Sequence, residues 1–190
     1  MAIYRKQPKD ENLDTRKFAE ALSTLGLLTM KVDGKYPEAE SLLLEAVSLA
    51  PHLKGKDRAL VAHAENFLAA LHLDRGDYQR AETQARQALS EFRKMGGSER
   101  AEAADTEINL GSILRTRGQY AEAEPFLLEG LATFRQLLGD QHPSVAYAWV
   151  HLGHLHYLEG KYGEAEEEVR KALKLYEAAC RRATALPLPR

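Results

Sequence analysis

The sequence predicts an all-α fold, an α-solenoid of four antiparallel helix pairs. Two observations predict it: the composition of the chain and a motif that occurs four times. Of the 190 residues, 28 are alanine and 29 are leucine, whereas valine and isoleucine together number nine. Strands favour β-branched residues, so a chain this poor in them is predicted to be helical.

The repeated motif is Gly-x-Tyr-x-x-Ala-Glu, and successive copies are 42 residues apart. An apolar stretch with helical period precedes each glycine, and a second helix is predicted to follow each tyrosine. Glycine ends the first helix because it adopts left-handed dihedrals without a side-chain clash. Each unit is therefore predicted to be a helical hairpin. The four copies begin at Gly34, Gly76, Gly118 and Gly160.

Breaker segments separate the units, and they set the predicted domain organisation. These segments are Ala50-Pro51-His52, Gly96-Gly97-Ser98 and Leu138-Gly139-Asp140-Gln141-His142-Pro143. One domain is predicted over residues 15–182, after a polar segment 1–14 and before a proline-containing tail 183–190. The predicted repeats span residues 15–52, 57–95, 99–138 and 143–182.

Charge and cysteine usage exclude several classes of protein. The chain has 26 basic and 28 acidic residues and a net charge of −2, which argues against a nucleic-acid binder with a basic face. No apolar run approaches the roughly 18–20 residues of a membrane span. Residues 1–14 lack the apolar region of a secretory signal. The single cysteine suits a reducing compartment. We therefore predict a cytoplasmic protein with no nucleic-acid or membrane partner.

No catalytic constellation is found in the sequence. The acidic run Glu166-Glu167-Glu168 opens a predicted helix, where carboxylates are favoured by the helix dipole, and it is interpreted as a solvated face. Arg181 and Arg182 lie beside Cys180, but no histidine or carboxylate can be placed next to that thiol. The sequence therefore predicts neither an enzyme nor a cofactor.

Three histidines on one predicted helix are candidate metal ligands. His151 and His154 are three residues apart and share a face, but two ligands are fewer than a zinc site needs. His156 points elsewhere and takes the place of a buried residue, equivalent to Leu114 and His72. No metal site is predicted.

The repeating unit resembles the tetratricopeptide repeat. The best copy contains Trp149, Leu152-Gly153, Gly160, Tyr162, Ala165 and Ala172. The 42-residue spacing and the linker from Leu138 to Pro143 are similar to those of the kinesin-light-chain subclass. The resemblance covers about residues 15–180 and implies a right-handed superhelix. One departure is the first unit, which has eight residues from Gly26 to Gly34 where the last two units have seven.

The resemblance implies a noncatalytic protein–protein interaction module that binds a peptide segment or partner protein in a concave groove. Amides can pair with the backbone of an extended peptide, aromatic rings supply contact area, and an arginine can bind a carboxylate with two hydrogen bonds. The groove positions carried over from the family are His63, Asn66, Ala70, Asp105, Asn109, Ser112, Arg115, Tyr147, His151, His154 and Tyr157.

Two alternatives to peptide binding stay open: an assembly module that self-associates through its ends, and a fragment of a larger signalling or scaffold protein. In the last helix, the residues predicted to pack inward are Val169, Ala172, Leu173 and Tyr176. Leu175, Ala179 and Cys180 are predicted to lie near an open end. This patch predicts a homodimer through the C-terminal ends, a covering downstream segment, or a tail that folds back through Leu186 and Leu188.

Overall fold

The computed structural model describes residues 13–32 and 34–184, and all regular secondary structure in these residues is helical. Leu186 and Leu188 of the predicted tail lie outside them. Three short 3₁₀ helices, Ala50–His52, Gly55–Arg58 and Gly97–Glu99, lie in the connections between pairs. The α-helices of the described residues are α1 (Leu13–Lys31), α2 (Tyr36–Ser48), α3 (Ala59–Asp74), α4 (Tyr78–Met95), α5 (Arg100–Thr116), α6 (Tyr120–Leu138), α7 (Pro143–Leu158) and α8 (Tyr162–Thr184).

The predicted turns are confirmed at all four glycines. Their φ angles are +62°, +76°, +77° and +80° at Gly34, Gly76, Gly118 and Gly160. After α5, the Gln119 N–H donates to the Leu114 carbonyl at 2.9 Å, which closes the helix end around a left-handed glycine. After α1, Lys35 donates to the Thr29 carbonyl at 3.3 Å, six residues back instead of five. The first turn therefore contains the additional residue that the Gly26–Gly34 spacing predicts.

Helices of a pair run antiparallel and approach closely, as α5 and α6 show. A Cβ atom at Gly111 would lie 2.6 Å from Leu127, and one at Gly130 would lie 2.8 Å from the Ala104 carbonyl oxygen. Early residues of α5 thus face late residues of α6, and glycine allows the two backbones to approach. Ala123 is fully buried at this contact, which confirms its predicted place.

The chain divides into two compact units, with the boundary between Ala103 and Ala104 in α5. In the first unit, Leu22 of α1 joins Leu43 of α2 and Leu68 of α3 in one apolar core. In the second unit, the largest fully buried side chains are Leu110, Ile108, Ile113, Leu114, Leu127, Leu152 and Leu155. Within the described residues, no helix has both the length and the apolar character needed to span a bilayer.

The packing of α8 differs from the prediction. Ala172 is buried as predicted, together with Ala165. Val169, Leu173 and Tyr176 are predicted to pack inward, yet they are 41%, 55% and 37% exposed. Val169 contacts α7, since its Cγ2 atom would lie 2.7 Å from a Cβ atom at Gly153, and the prediction holds in part for Val169 and Tyr176. It is wrong for Leu173, more than half of which is exposed. The equivalent residue of α6, Leu131, is buried, and no further helix pair follows α8 in the described residues.

Candidate peptide-binding groove

The predicted groove residues all lie on the first helices of their pairs. They are distributed over both compact units. The first unit contains His63, Asn66 and Ala70 on α3. The second unit contains Asp105, Asn109, Ser112 and Arg115 on α5, and Tyr147, His151, His154 and Tyr157 on α7.

In the second unit, a row of polar side chains connects α5 to α7. The Tyr147 hydroxyl donates to Asn109 Oδ1 at 3.3 Å, and Asn109 Nδ2 donates to Asp105 Oδ2 at 3.4 Å. The ring of Tyr147 lies edge-on to the His151 imidazole, with 4.4 Å between the centroids and 69° between the planes. Four of the predicted residues are thus brought together on two neighbouring helices.

Arg115 lies beside this row and has an unused donor. Its Nη2 atom donates to the Ser112 hydroxyl at 3.3 Å. Its Nε atom is buried without a hydrogen-bond partner, and so is Nδ1 of His151. A buried polar atom without a partner costs free energy, so a ligand that supplies the missing hydrogen bonds is favoured at this position.

Burial sets the protonation states of this surface. Burial, followed by the nearby Arg115 and His154 charges, lowers the pKa of His151 to about 4, so its imidazole is neutral at pH 7. Burial and the Asp105 carboxylate raise the pKa of Tyr147 to about 12, so the phenol stays protonated. Burial also lowers the pKa of the Arg115 guanidinium, which nevertheless stays charged at pH 7. The surface therefore offers one cation, Arg115, and one carboxylate, Asp105, among neutral donors and acceptors.

Two residues of α7 extend this surface into solvent. His154 is largely exposed, and the partial burial of its imidazole together with the Arg115 charge lowers its pKa. Tyr157 is exposed and lies against Tyr162, the tyrosine of the fourth repeated motif, with 5.6 Å between ring centroids. The exposed ring pair provides apolar contact area next to the polar row.

In the first unit, the corresponding surface is more aromatic. His63 lies edge-on to Phe92 at 5.1 Å and 6.5 Å from Phe67, while Ala70 is half-buried. Asn66 is buried, and its equivalent 42 residues later is the core residue Ile108.

Phe67 is an aromatic residue of α3 that the sequence analysis missed, and it packs against the apolar core of the first unit. It is partly buried, and its centroid lies 6.5 Å from that of the predicted groove residue His63. The signal was present in the repeat spacing, because Phe67 lies 42 residues before Asn109 and Asn109 lies 42 before His151.

His156 is buried away from this surface, as predicted. Its Nδ1 atom lies 2.8 Å from Glu168 Oε2 on α8, and its Nε2 atom lies 3.4 Å from Glu124 Oε1 on α6. The histidine thus links three helices of the second unit. Among the described residues, no group of three or more His, Cys, Asp or Glu side chains is arranged to hold a metal ion.

The pKa of His156 is shifted in the opposite direction to that of its equivalent, His72. Burial lowers the pKa of both imidazoles. For His156, the hydrogen bonds with Glu168 and Glu124 outweigh burial and raise the pKa above 6.5. His72 has the charge of Glu40 nearby, but Gln84 occupies the position equivalent to Glu168. Burial is therefore the largest effect at His72, and the pKa of His72 is lowered.

We expect Glu168→Gln to lower the pKa of His156, as measured by NMR titration of the imidazole. Because the pKa of folded His156 lies above 6.5, the interaction stabilises the fold below about pH 6.5, and this contribution is lost as pH rises through the raised pKa. Glu167→Gln changes the exposed neighbouring carboxylate and should leave the His156 titration unaltered. A pKa of His156 at or below that of His72 in the wild type would contradict this assignment.

A tetratricopeptide repeat family model matches residues 17–94 and 102–178, and a second model of that description matches residues 68–132. The chain belongs to the tetratricopeptide repeat (TPR) family. Family members are generally noncatalytic scaffolds for protein–protein interaction. No match was found among curated proteins.

Several solved structures share the fold of this TPR protein. BtubC (BKLC) from P. vanneervenii is 24% identical, with a TM-score of 0.67 over 93% of this chain and 85% of that one. A structure of TPR-like repeats of kinesin-light-chain type from Podosopora anserina is 20% identical, with a TM-score of 0.64 over 92% and 79%. MamA is 20% identical, with a TM-score of 0.61 over 90% and 83%. These matches confirm the predicted α-solenoid fold.

Proposed function

We propose that this TPR protein binds an extended peptide segment of a partner protein across α5 and α7 of its second unit. The observation that best supports this proposal is the pair of buried polar atoms without partners, Nε of Arg115 and Nδ1 of His151, on the polar surface of these helices. Buried polar atoms without hydrogen-bond partners destabilise the free protein, and a ligand that forms hydrogen bonds with them removes this free-energy cost.

The chemistry of the surface favours a peptide with a carboxylate side chain. Burial removes water from the Arg115 guanidinium, and a carboxylate can replace that water with two charge-assisted hydrogen bonds. Asn109 can pair with the backbone of an extended peptide, and its neighbour Tyr147 supplies contact area at low entropy cost. The Asp105 carboxylate at one end of the row disfavours a second acidic group there.

The test is a selection from a random peptide display library on the wild-type protein, followed by calorimetric titration of the enriched peptides. We expect acidic peptides to be enriched. Arg115→Ala should weaken their binding by about tenfold or more, which corresponds to about 1.4 kcal/mol, because a charge-assisted pair is lost. Binding should be abolished in the triple variant with alanine at Asn109, Arg115 and His151.

Arg170→Ala is the matched control, because Arg170 is an exposed arginine of the same unit that pairs with Glu166 on its own helix. This variant should bind the peptides as the wild type does. Raising the ionic strength should weaken wild-type binding and have less effect on Arg115→Ala. Full binding by the triple variant, with an unchanged circular dichroism spectrum, would exclude this surface as the peptide site.

The remaining parts of the proposal rest on the sequence and the family. We propose a noncatalytic role without cofactor or nucleic acid, and a cytoplasmic location, which the presence of one cysteine in the sequence and the net charge of −2 favour. The first-unit positions His63, Asn66 and Ala70 stay predicted groove residues.

A further inference from the structure

We infer that a cleft in the first unit binds an organic cation, a primary ammonium group on a short alkyl chain, whose charge pairs with the buried Glu65 carboxylate. The cleft has a volume of about 640 Å³ and is lined by residues of α2, α3, α4 and the connections between α2 and α3. The inference is independent of the proposed peptide binding, because that site lies on α5 and α7 of the second unit.

Glu65 is the one carboxyl group, among the described residues that line the cleft, for which the structure shows no ion pair. Its side chain lines the cleft, although the residue is only 9% exposed. Its Oε2 atom is buried and has no hydrogen-bond partner, which costs free energy. Glu65 follows the predicted groove residue His63 by two positions, so the two side chains point to different sides of α3. A cation in the cleft would supply the partner that Glu65 lacks.

The other charged residues of the cleft pair with one another. Arg58 Nε lies 2.8 Å from Glu91 Oε2, and Lys94 Nζ lies 2.8 Å from Glu91 Oε1. Arg86 Nε lies 3.0 Å from Glu82 Oε1. The two carboxylate side chains are 16% and 13% exposed, whereas the three cationic side chains are 41% exposed or more. The carboxylates therefore lie deeper in the cleft than the cations, so they attract an entering cation and repel an entering anion.

The protonation of Glu65 makes this binding depend on pH. Burial, followed by the Glu91 carboxylate, raises the pKa of Glu65 to about 7, and the opposing charges of Arg58 and Lys94 are outweighed. At pH 7 the carboxyl is therefore ionised in about half of the molecules. A bound cation stabilises the ionised form, so binding should release a proton and lower the pKa of Glu65. Affinity for the cation should rise as the pH rises through 7.

The remaining lining of the cleft favours an ammonium group on an alkyl chain. Val47, Ala50 and Val61 provide apolar contact for methylene groups. An ammonium group has three donors, and the side-chain oxygens of Gln87 and Ser90, which line the same cleft, are acceptors. A metal ion is disfavoured, because the residues that the structure describes include no group of three or more His, Cys, Asp or Glu side chains that could hold one.

NMR titration of the full chain with n-butylammonium chloride, followed at the carboxyl carbon of Glu65, tests the inference. We expect saturable binding that lowers the pKa of Glu65 from about 7 toward its ordinary value. Affinity should be about tenfold higher at pH 8 than at pH 6, because the ionised fraction of Glu65 rises by about that factor. n-Butanol, which has the same chain without the charge, and sodium chloride at the same ionic strength should leave this pKa unchanged.

Two further probes distinguish the sources of the ammonium group. One is an acetylated Gly-Lys-Gly amide, which carries a lysine side chain in a peptide, and the other is 1,4-diaminobutane. Tighter binding of the peptide than of butylammonium indicates that the group is a lysine of a partner protein. Tighter binding of the diamine indicates a free amine. Either result supports the cation site.

Glu65→Gln keeps the size of the side chain and removes its charge, so it should weaken butylammonium binding by about tenfold or more, measured at the Ser90 amide resonance. Glu45→Gln is the matched control, because Glu45 is an exposed carboxylate of α2 outside the cleft, and it should bind as the wild type does. Undiminished binding by folded Glu65→Gln would overturn the inference. So would a wild-type Glu65 pKa that stays at about 7 in about 100 mM butylammonium, a concentration well above the roughly millimolar dissociation constant expected of so small a ligand.

Discussion

Replacing Leu127 by alanine is expected to lower the free energy of unfolding by about 2–5 kcal/mol. Leu127 is fully buried between α5 and α6, where its Cδ2 atom would lie only 2.6 Å from a Cβ atom at Gly111. Removal of three side-chain carbons loses their burial and leaves a cavity, because the closely packed backbones can collapse only in part. Urea unfolding followed by circular dichroism measures the loss.

Leu128→Ala is the matched control for this substitution. Leu128 is the next residue of α6, undergoes the same chemical change and is half-exposed. This substitution should cost less than about 1 kcal/mol, because about half of the Leu128 side chain stays in contact with water in the folded protein. Equal losses for the two variants would contradict the assignment of the face of α6 that packs against α5.

Enlarging Ala123 to leucine is expected to destabilise the protein by about 1–3 kcal/mol. Ala123 is fully buried, and its carbonyl oxygen would lie 3.2 Å from a Cβ atom at Gly111. A leucine side chain has no space at such a contact, so the helices must separate or the side chain must adopt a strained rotamer. The melting temperature should fall accordingly.

Ala121→Leu provides the comparison for Ala123→Leu. Ala121 lies on the same helix two residues earlier and is exposed, so the added side chain extends into solvent. Its effect should be within about 0.5 kcal/mol of zero. If Ala123→Leu melts at the wild-type temperature, the repeated alanine does not mark the close helix contact.

The helices and turns could be predicted from the sequence because their causes are local and occur four times. A glycine such as Gly118 is followed by a tyrosine and preceded by an apolar helical stretch, and the left-handed conformation that ends α5 depends on that glycine alone. Even the longer first turn could be predicted, because it follows from counting residues between Gly26 and Gly34.

The environment of each side chain could not be predicted in the same way. The apolar pattern of Leu173 is the same as that of Leu131, yet only Leu131 is covered, because coverage depends on a neighbouring helix and not on the pattern. The lowered pKa of His151 likewise depends on burial and on Arg115, which is contributed by another helix. Asn66 is a predicted groove residue, although the repeat register places it with the core residue Ile108.

The most direct measurement of the central claim is the NMR resonance of the Arg115 Nε–H group during titration with a peptide enriched on the wild-type protein. This donor is buried and without a partner in the free protein. If the peptide binds across α5 and α7, the Nε–H proton should shift downfield as it donates to the peptide carboxylate, and Arg170 should not respond. Saturating binding that leaves the Arg115 Nε–H resonance unchanged, with shifts confined to exposed α6 residues such as Leu128, would contradict the claim.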